Sequence, residues 1–145
     1  MIQYPLKFQV SAQAESGIQK SWSASAMEGR SLSCAIPPEF EGQGGGYSPE
    51  DLFGLAVMNC FIATFKVIAE KSKVVFQEIQ AQGELIVDRD EKGAPWMSEM
   101  KIAILLKVGA GSDQQRFQHL LEKTAASCLV ARSIRTKVQF SFEVQ

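Results

Sequence analysis

One stretch decides the fold of this chain: SPEDLFGLAVMNCFIATFKVIA, residues 48–69. Its start is typical of a helix N-terminus, because Ser48 can cap free N–H groups and Pro49 suits the first helical position. The acids Glu50 and Asp51 then favour the positive end of the helix dipole. From position 52 to 69 the residues are almost all apolar. A helix that is apolar all round in a soluble protein is a buried central helix. In so small a chain, one side of it needs a partner subunit for cover, so we expect a homodimer.

The same stretch is long enough to raise the question of a membrane span. The acidic cap, Asn59 in the middle and Lys66 inside the run argue against one. The sequence therefore predicts no membrane partner.

Alternation of apolar and polar residues predicts strands on both sides of this helix. Three precede it and three follow it, over residues 6–13, 21–26, 31–36, 79–88, 100–108 and 137–144. We predict a turn at Glu28–Gly29 and a second helix, capped by Ser112, that carries Cys128 near its end. The order βββ-α-ββ-α-β predicts one α+β domain over residues 1–145, with antiparallel sheets around the long helix.

Composition excludes several classes of function. The chain has 145 residues and a formal net charge of −1, with 15 Lys and Arg against 16 Asp and Glu, and no basic run. Nucleic acid is therefore not an expected partner. The single histidine, His119, excludes a site with two imidazoles, and three cysteines are too few for a disulfide scaffold or a four-thiolate zinc site. No metal is predicted. The start has no signal-peptide pattern, so we expect the cytoplasm, where a cysteine pair is more often chemical than structural.

A glycine-rich loop, residues 41–47, precedes the long helix and invites a phosphate-binding interpretation. The loop lacks the lysine and serine of a P-loop and does not follow the first strand of a βαβ unit. The remaining interpretations are a flexible connection, or a backbone that passes close to a ligand or a second subunit.

Two of the three cysteines are candidates for redox chemistry. Cys60 and Cys128 lie on the two predicted helices, and a thiolate that reacts with peroxide needs a second thiol to resolve its sulfenic acid. Such a thiolate also needs a positive neighbour to lower its pKa. The candidate cations are Arg30, Arg132 and Arg135, and Glu50 could orient a guanidinium. Each thiol can equally be a packed core residue, and Cys34, on a strand, is expected to be a packing or surface residue.

The residues carry a family resemblance. Pro38-Glu39-Phe40, the glycine-rich loop, Ser48-Pro49-Glu50-Asp51-Leu52 and Asn59-Cys60-Phe61 form a series, and Cys128 follows on a later helix. This series resembles the OsmC/Ohr family of thiol-dependent peroxidases, in its OsmC-like branch. One departure is Leu129, which stands where relatives often have proline after the second cysteine.

The resemblance implies an intertwined homodimer with two active sites at the subunit interface, which reduces organic hydroperoxides, and sometimes hydrogen peroxide, with an external dithiol and no bound cofactor. It implies that Cys60 is peroxidatic and Cys128 resolving. Glu50 matches the acid that holds the catalytic arginine, for which Arg30 matches best and Arg132 or Arg135 are alternatives. The apolar flanks of the helix, with Phe53, Phe61 and Phe65, would favour a hydrophobic peroxide.

Two other classes of function stay open. A hot-dog-type thioesterase also wraps a sheet around a long helix in a dimer, but it needs a carboxylate base in that helix, and only Glu50 at the cap is near. A small-ligand-binding dimer with inert cysteines is the non-enzymatic alternative.

Overall fold

The structure, a computed structural model, describes residues 1–27 and 29–145. The chain forms two compact units, Met1–Leu52 and Phe53–Gln145. The elements are β1 (Ser11–Gln13), β2 (Trp22–Met27), β3 (Arg30–Cys34), a short 3-10 helix (Pro38–Phe40), α1 (Pro49–Lys71), β4 (Glu78–Arg89), β5 (Pro95–Lys107), α2 (Gln114–Ser127), α3 (Leu129–Arg132) and β6 (Lys137–Val144). The predicted α+β order is confirmed, with α3 as an addition. The single domain stays a prediction. The turn predicted at Glu28–Gly29 includes Glu28, which lies outside the described residues.

The first unit contains an antiparallel sheet of β1, β2 and β3, as predicted. Its first strand is much shorter than the alternation from residue 6 predicts. In the observed register Ser11 lies opposite Ser25, so Met27, the last residue of β2, stands opposite position 9. Residues before that position lie past the end of β2 and have no strand beside them in the described first unit. Phe8, which lies past that end, is accordingly exposed.

The glycine-rich loop folds back against the end of β3. Ala35 N–H donates to the Tyr47 carbonyl over 3.1 Å, and Tyr47 N–H donates to the Ser33 carbonyl over 2.9 Å. A Cβ at Gly46 would lie 2.9 Å from the Ser33 oxygen, which is closer than side-chain atoms approach. Close backbone approach therefore requires glycine here, and the neighbour is the chain's own strand.

Helix α1 begins where the sequence predicts. The Ser48 Oγ accepts from the Asp51 N–H and the Asp51 carboxylate accepts from the Ser48 N–H, each over 3.0 Å. This reciprocal pair satisfies two free donors of the first turn, as a capping box does. By length and composition α1 could cross a membrane, but the core helix of a soluble protein meets the same criteria, so this is weak evidence.

The second unit contains a three-stranded sheet in the order β4-β5-β6. Strands β4 and β5 form an antiparallel hairpin, in agreement with the predicted antiparallel pairing. Strand β6 runs parallel to β5, which differs from the predicted all-antiparallel arrangement. The reason is the connection: α2 and α3 form a crossover between β5 and β6, and a crossover returns the chain in the same direction.

One face of α1 builds the core of the second unit. Val57, Phe61 and Phe65 have no exposed surface. The Phe61 ring packs on Phe140 and Phe142 of β6, with centroid distances of 4.9 and 5.8 Å. This packing places the residue before Phe61, which is Cys60, at the border of the core.

Helix α2 begins one residue later than predicted. Its N-cap is Asp113, whose carboxylate accepts from the Arg116 N–H over 3.1 Å, and not Ser112. Asp and Ser are almost equally good caps, so the choice between adjacent positions depends on the path of the preceding turn. Ser112 instead closes that turn, with its N–H donating to the Gly109 carbonyl.

Candidate active site

Cys60 lies just after the third turn of α1 and is half-buried. Its neighbour Asn59 is exposed, and Phe61 on the other side is fully buried. The other two cysteines, Cys34 and Cys128, are each at most 2% exposed. Cys60 is therefore the thiol that a solute can reach.

Cys128 stands at the break between two helices. It is both the C-cap of α2 and the N-cap of α3, with extended backbone angles (φ −64°, ψ 110°). Its side chain is fully buried, and its Sγ lies 4.0 Å from the Val57 carbonyl oxygen of α1. Val57 is three residues before Cys60, so the break brings the Cys128 thiol against the same part of α1.

A backbone amide and a side-chain hydroxyl are among the groups that contact the Cys60 sulfur. The Val130 N–H, in the first turn of α3, donates to it over 3.5 Å. The Thr64 hydroxyl, one helical turn after Cys60 on α1, lies 3.9 Å away. Hydrogen bonds to an ionised sulfur are stronger than those to a neutral one, so both contacts favour the thiolate.

The two thiols have opposite tendencies to ionise. Burial disfavours the Cys60 thiolate, but hydrogen bonds from four groups, led by the Val130 N–H and the Cys128 thiol, together outweigh it, so the pKa of Cys60 is lowered. The Thr64 hydroxyl and the Leu129 N–H act in the same direction. Burial raises the pKa of Cys128, and the neighbouring Cys60 raises it further. Cys60 is thus the better thiolate, and Cys128 stays a neutral donor within hydrogen-bonding reach of it.

The predicted Arg30–Glu50 pair belongs to the first unit. Arg30 begins β3 and is exposed, and Glu50 lies in the first turn of α1. Within residues 1–27 and 29–145, no ion pair joins the two side chains. The Glu50 Oε2 is buried and has no hydrogen-bond partner in the described chain. The roles of both residues stay predictions.

The two alternative arginines lie in the second unit. Arg132 is the exposed last residue of α3. The Arg135 guanidinium lies over the Trp96 ring, 5.8 Å from its centroid, as a cation–π contact. Among the described hydrogen bonds, neither arginine donates to Cys60.

The aromatic residues expected to line a cleft do not all do so. Phe61 and Phe65 are completely buried in the core, and Phe53 is half-buried against it. Their spacing along α1 puts the first two on the face that packs on the sheet. Leu129, which directly follows Cys128 and whose N–H contacts the Cys60 sulfur, is an apolar residue that is 70% exposed.

The remaining candidate residues are Cys34 and His119. Cys34 is buried at the end of β3, in the first unit, which confirms the expected packing role. His119 is exposed on α2. In the part of the chain that the structure describes, no group of three or more His, Cys, Asp or Glu side chains could hold a metal ion.

Two contacts of the Cys60 sulfur are absent from the sequence-based prediction. Thr64 could have been found, because a residue four positions after Cys60 lies on the same helical face. The Val130 N–H could not, because its direction depends on the break at Cys128. Fold and site together define a small α+β protein in which a half-buried thiol with a lowered pKa contacts a buried thiol.

Comparison with known proteins names the family. The model of the family described as OsmC-like protein matches residues 42–143, and the chain belongs to this family, as the sequence predicted. Among curated proteins the chain is similar to YmaD, an uncharacterized protein of Bacillus subtilis (strain 168). The two are 29% identical over 114 residues, which cover 77% of this chain and 75% of YmaD.

Solved structures show the same fold. An OsmC-like protein of unknown function from Vibrio cholerae superposes with a TM-score of 0.81 at 13% identity, covering 96% of this chain and 100% of that one. An organic hydroperoxide resistance protein, OsmC, from Legionella pneumophila superposes with a TM-score of 0.72 at 20% identity, covering 99% of each chain. At these identities the likeness shows the fold alone.

Proposed function

We propose that this protein is a thiol-dependent peroxidase that reduces organic hydroperoxides, with Cys60 as the attacking thiolate and Cys128 as the resolving thiol. One observation carries the proposal: an accessible thiol with a lowered pKa lies within hydrogen-bonding reach of a buried thiol with a raised pKa. The first can attack a peroxide, and the second stays protonated until it is needed. The name of the Legionella relative, an organic hydroperoxide resistance protein, supports the substrate class.

The reaction proceeds in two covalent steps. The Cys60 thiolate attacks the outer oxygen of the hydroperoxide, an S–O bond forms and the O–O bond breaks. The leaving alkoxide takes a proton from water and becomes an alcohol, and Cys60 becomes a sulfenic acid. Cys128 then attacks the Cys60 sulfur, an S–S bond forms, and the hydroxyl leaves with the Cys128 proton as water. An external dithiol reduces the disulfide by exchange and is itself oxidised, so the proposal needs no bound cofactor and suits a reducing cytoplasm.

The proposed preference for organic substrates rests on Leu129. Leu129 directly follows Cys128, its N–H contacts the Cys60 sulfur and its side chain is exposed, so we assign to it the apolar surface that a substrate meets. Burial of apolar area stabilises a bound complex by about 25 cal/mol per Å². The alkyl part of an organic hydroperoxide can make this contact, whereas hydrogen peroxide cannot.

The active form we propose is a homodimer. Leu55 and Val67 are 39% and 52% exposed on α1, a helix whose other face forms the core. A second copy that covers this apolar face would bury more than about 2,000 Å², the range of obligate dimers.

Glu50 supports a further part of the proposal. A buried carboxylate oxygen without a donor is costly, so a cation is expected to reach it in the assembled protein. We assign this role to Arg30, following the family resemblance. A guanidinium that Glu50 holds in place would supply a positive charge to the Cys60 thiolate, in addition to its neutral hydrogen-bond donors. The same charge would polarise the peroxide.

Thiol titration tests the proposed function. One equivalent of cumene hydroperoxide should remove two of the three thiols, and peptide mapping should find a Cys60–Cys128 disulfide. Cys34→Ser should behave like the wild type, and Cys60→Ser should consume no peroxide. If the wild-type protein keeps all three thiols, the cysteines are inert and the small-ligand-binding alternative replaces the peroxidase.

A further inference from the structure

Thr64 contacts the reacting sulfur from within the same helix. Its Oγ1 lies 3.9 Å from the Cys60 Sγ, and both side chains are half-buried. Residues four apart in an α-helix lie on the same face, one above the other, so this contact follows directly from the helical backbone. It does not depend on any loop.

Two other hydroxyls in this unit show what is unusual about Thr64. The Thr124 hydroxyl donates to the Leu120 carbonyl and the Ser133 hydroxyl donates to the Leu129 carbonyl, each over 2.7 Å. This bond to the carbonyl four residues earlier is the ordinary one for a helical Ser or Thr. In the described chain, the hydrogen-bond partner of the Thr64 hydroxyl is instead the sulfur of Cys60. Its proton is therefore available to that sulfur.

We propose that Thr64 is a specific hydrogen-bond donor to the Cys60 thiolate, and that the same hydroxyl holds the oxygen of the Cys60 sulfenic acid during the peroxidase cycle. The second half of this proposal rests on the proposed function, and the first half does not. A hydroxyl can donate to the thiolate and afterwards either donate to or accept from the S–OH group. It can thus stay bonded through both states with no net transfer of a proton.

A donor of this kind acts differently on the two forms of the thiol. Sulfur in a neutral thiol is a weak acceptor, whereas hydrogen bonds to an ionised group are about twice as strong. The titratable group that faces Cys60 from the adjoining elements is Cys128, at the α2–α3 break. Among the described residues, no charged side chain hydrogen-bonds either sulfur. The effect of Thr64 should therefore be visible in the ionisation of Cys60.

The test compares Thr64→Val with Thr64→Ser, both in a Cys34→Ser background. Valine keeps the branched shape and removes the hydroxyl, whereas serine keeps the hydroxyl and removes the methyl group. The readout is the rate of alkylation of Cys60 by iodoacetamide against pH, followed on the Cys60 peptide by mass spectrometry. Thr64→Val should move the profile to higher pH and slow alkylation at a fixed pH below the pKa by about 2- to 10-fold. Thr64→Ser should keep the wild-type profile.

Two results would overturn the proposal: a Thr64→Val profile that overlays the wild type, or an equal shift in Thr64→Ser, which would assign the effect to the methyl group. Alkylation uses no peroxide, so failure of the proposed function is separate from failure here. A wild-type protein that does not turn over cumene hydroperoxide, but shows the shift in Thr64→Val alone, would overturn the peroxidase function and retain the donor role of Thr64 at the thiolate.

The proposed role at the sulfenic acid has its own test. Trapping with dimedone after one equivalent of peroxide should show a shorter lifetime of the free S–OH in Thr64→Val than in Thr64→Ser. Equal lifetimes in the two variants would overturn the proposed role of Thr64 at the sulfenic acid.

Discussion

The backbone N–H of Val130 donates a hydrogen bond to the Cys60 Sγ over 3.5 Å, although the two residues are 70 positions apart in the chain. The contact exists because Cys128 alone separates the end of α2 from the start of α3, and this break turns the first amides of α3 toward α1. A main-chain donor persists through most side-chain changes. This part of the thiolate's environment is therefore built by the backbone.

Replacing Leu129 by proline should weaken the hydrogen bonding of main-chain amides to the Cys60 thiolate. Proline suits the first position of a helix, and Cys128 has the extended conformation that a residue before proline adopts. The change removes the Leu129 N–H, which lowers the pKa of Cys60 in the native protein. Its loss should raise that pKa, so the pH profile of Cys60 alkylation should move to higher pH.

The matched control is Leu129→Ala, which keeps the N–H and shortens the side chain. Its alkylation profile should match the wild type. A Leu129→Pro profile identical to that of Leu129→Ala would contradict a role for this amide.

Replacing Cys128 by serine should separate the two covalent steps. Cys60 would still reduce one equivalent of cumene hydroperoxide, but no second sulfur would be present to resolve the sulfenic acid. Excess peroxide should then oxidise Cys60 to sulfinic or sulfonic acid, which mass spectrometry detects. Cys34, buried in the first unit, is the internal control and should stay unoxidised. Equal oxidation at both positions would mean that Cys60 is not activated.

Neutralising the catalytic cation should raise the pKa of Cys60, because a nearby positive charge favours the thiolate. Arg30→Met is expected to move the alkylation profile to higher pH. Glu50→Gln should have a smaller effect, because it removes an orienting hydrogen bond and leaves the charge. Arg132→Met and Arg135→Met are the comparison variants. A shift in one of these two, with none in Arg30→Met, would move the catalytic role to the region after α3.

Placing a charge on the exposed face of α1 should disrupt the dimer. Val67→Asp buries a carboxylate in the proposed interface, which is unfavourable unless it is paired. Sedimentation should show a dimer for the wild type and a shift toward monomer for this variant. Gln115→Asp, an exposed position on α2, adds the same charge elsewhere and should stay dimeric. A folded wild-type monomer at micromolar concentration would exclude the obligate dimer.

The sequence by itself determined the long helix, the order of the elements and the two cysteines of the site. These features depend on neighbouring residues: the Ser48–Asp51 cap acts within one turn, and the apolar run after it can only be buried. Alternation likewise placed the long hairpin of β4 and β5, because side chains on successive strand residues point to opposite faces. Thr64 also belongs here, since helical periodicity alone puts it beside Cys60.

The tertiary structure alone decided how distant segments meet. The parallel pairing of β6 with β5 depends on the path of the crossover, and alternation along a strand is the same for either direction. The core position of Phe61 and Phe65 depends on which face of α1 the sheet covers, which an all-apolar helix does not specify. The amide of Val130 reaches Cys60 only because the helix breaks at Cys128, and neither Leu129 nor Val130 is a residue type that signals the start of a helix.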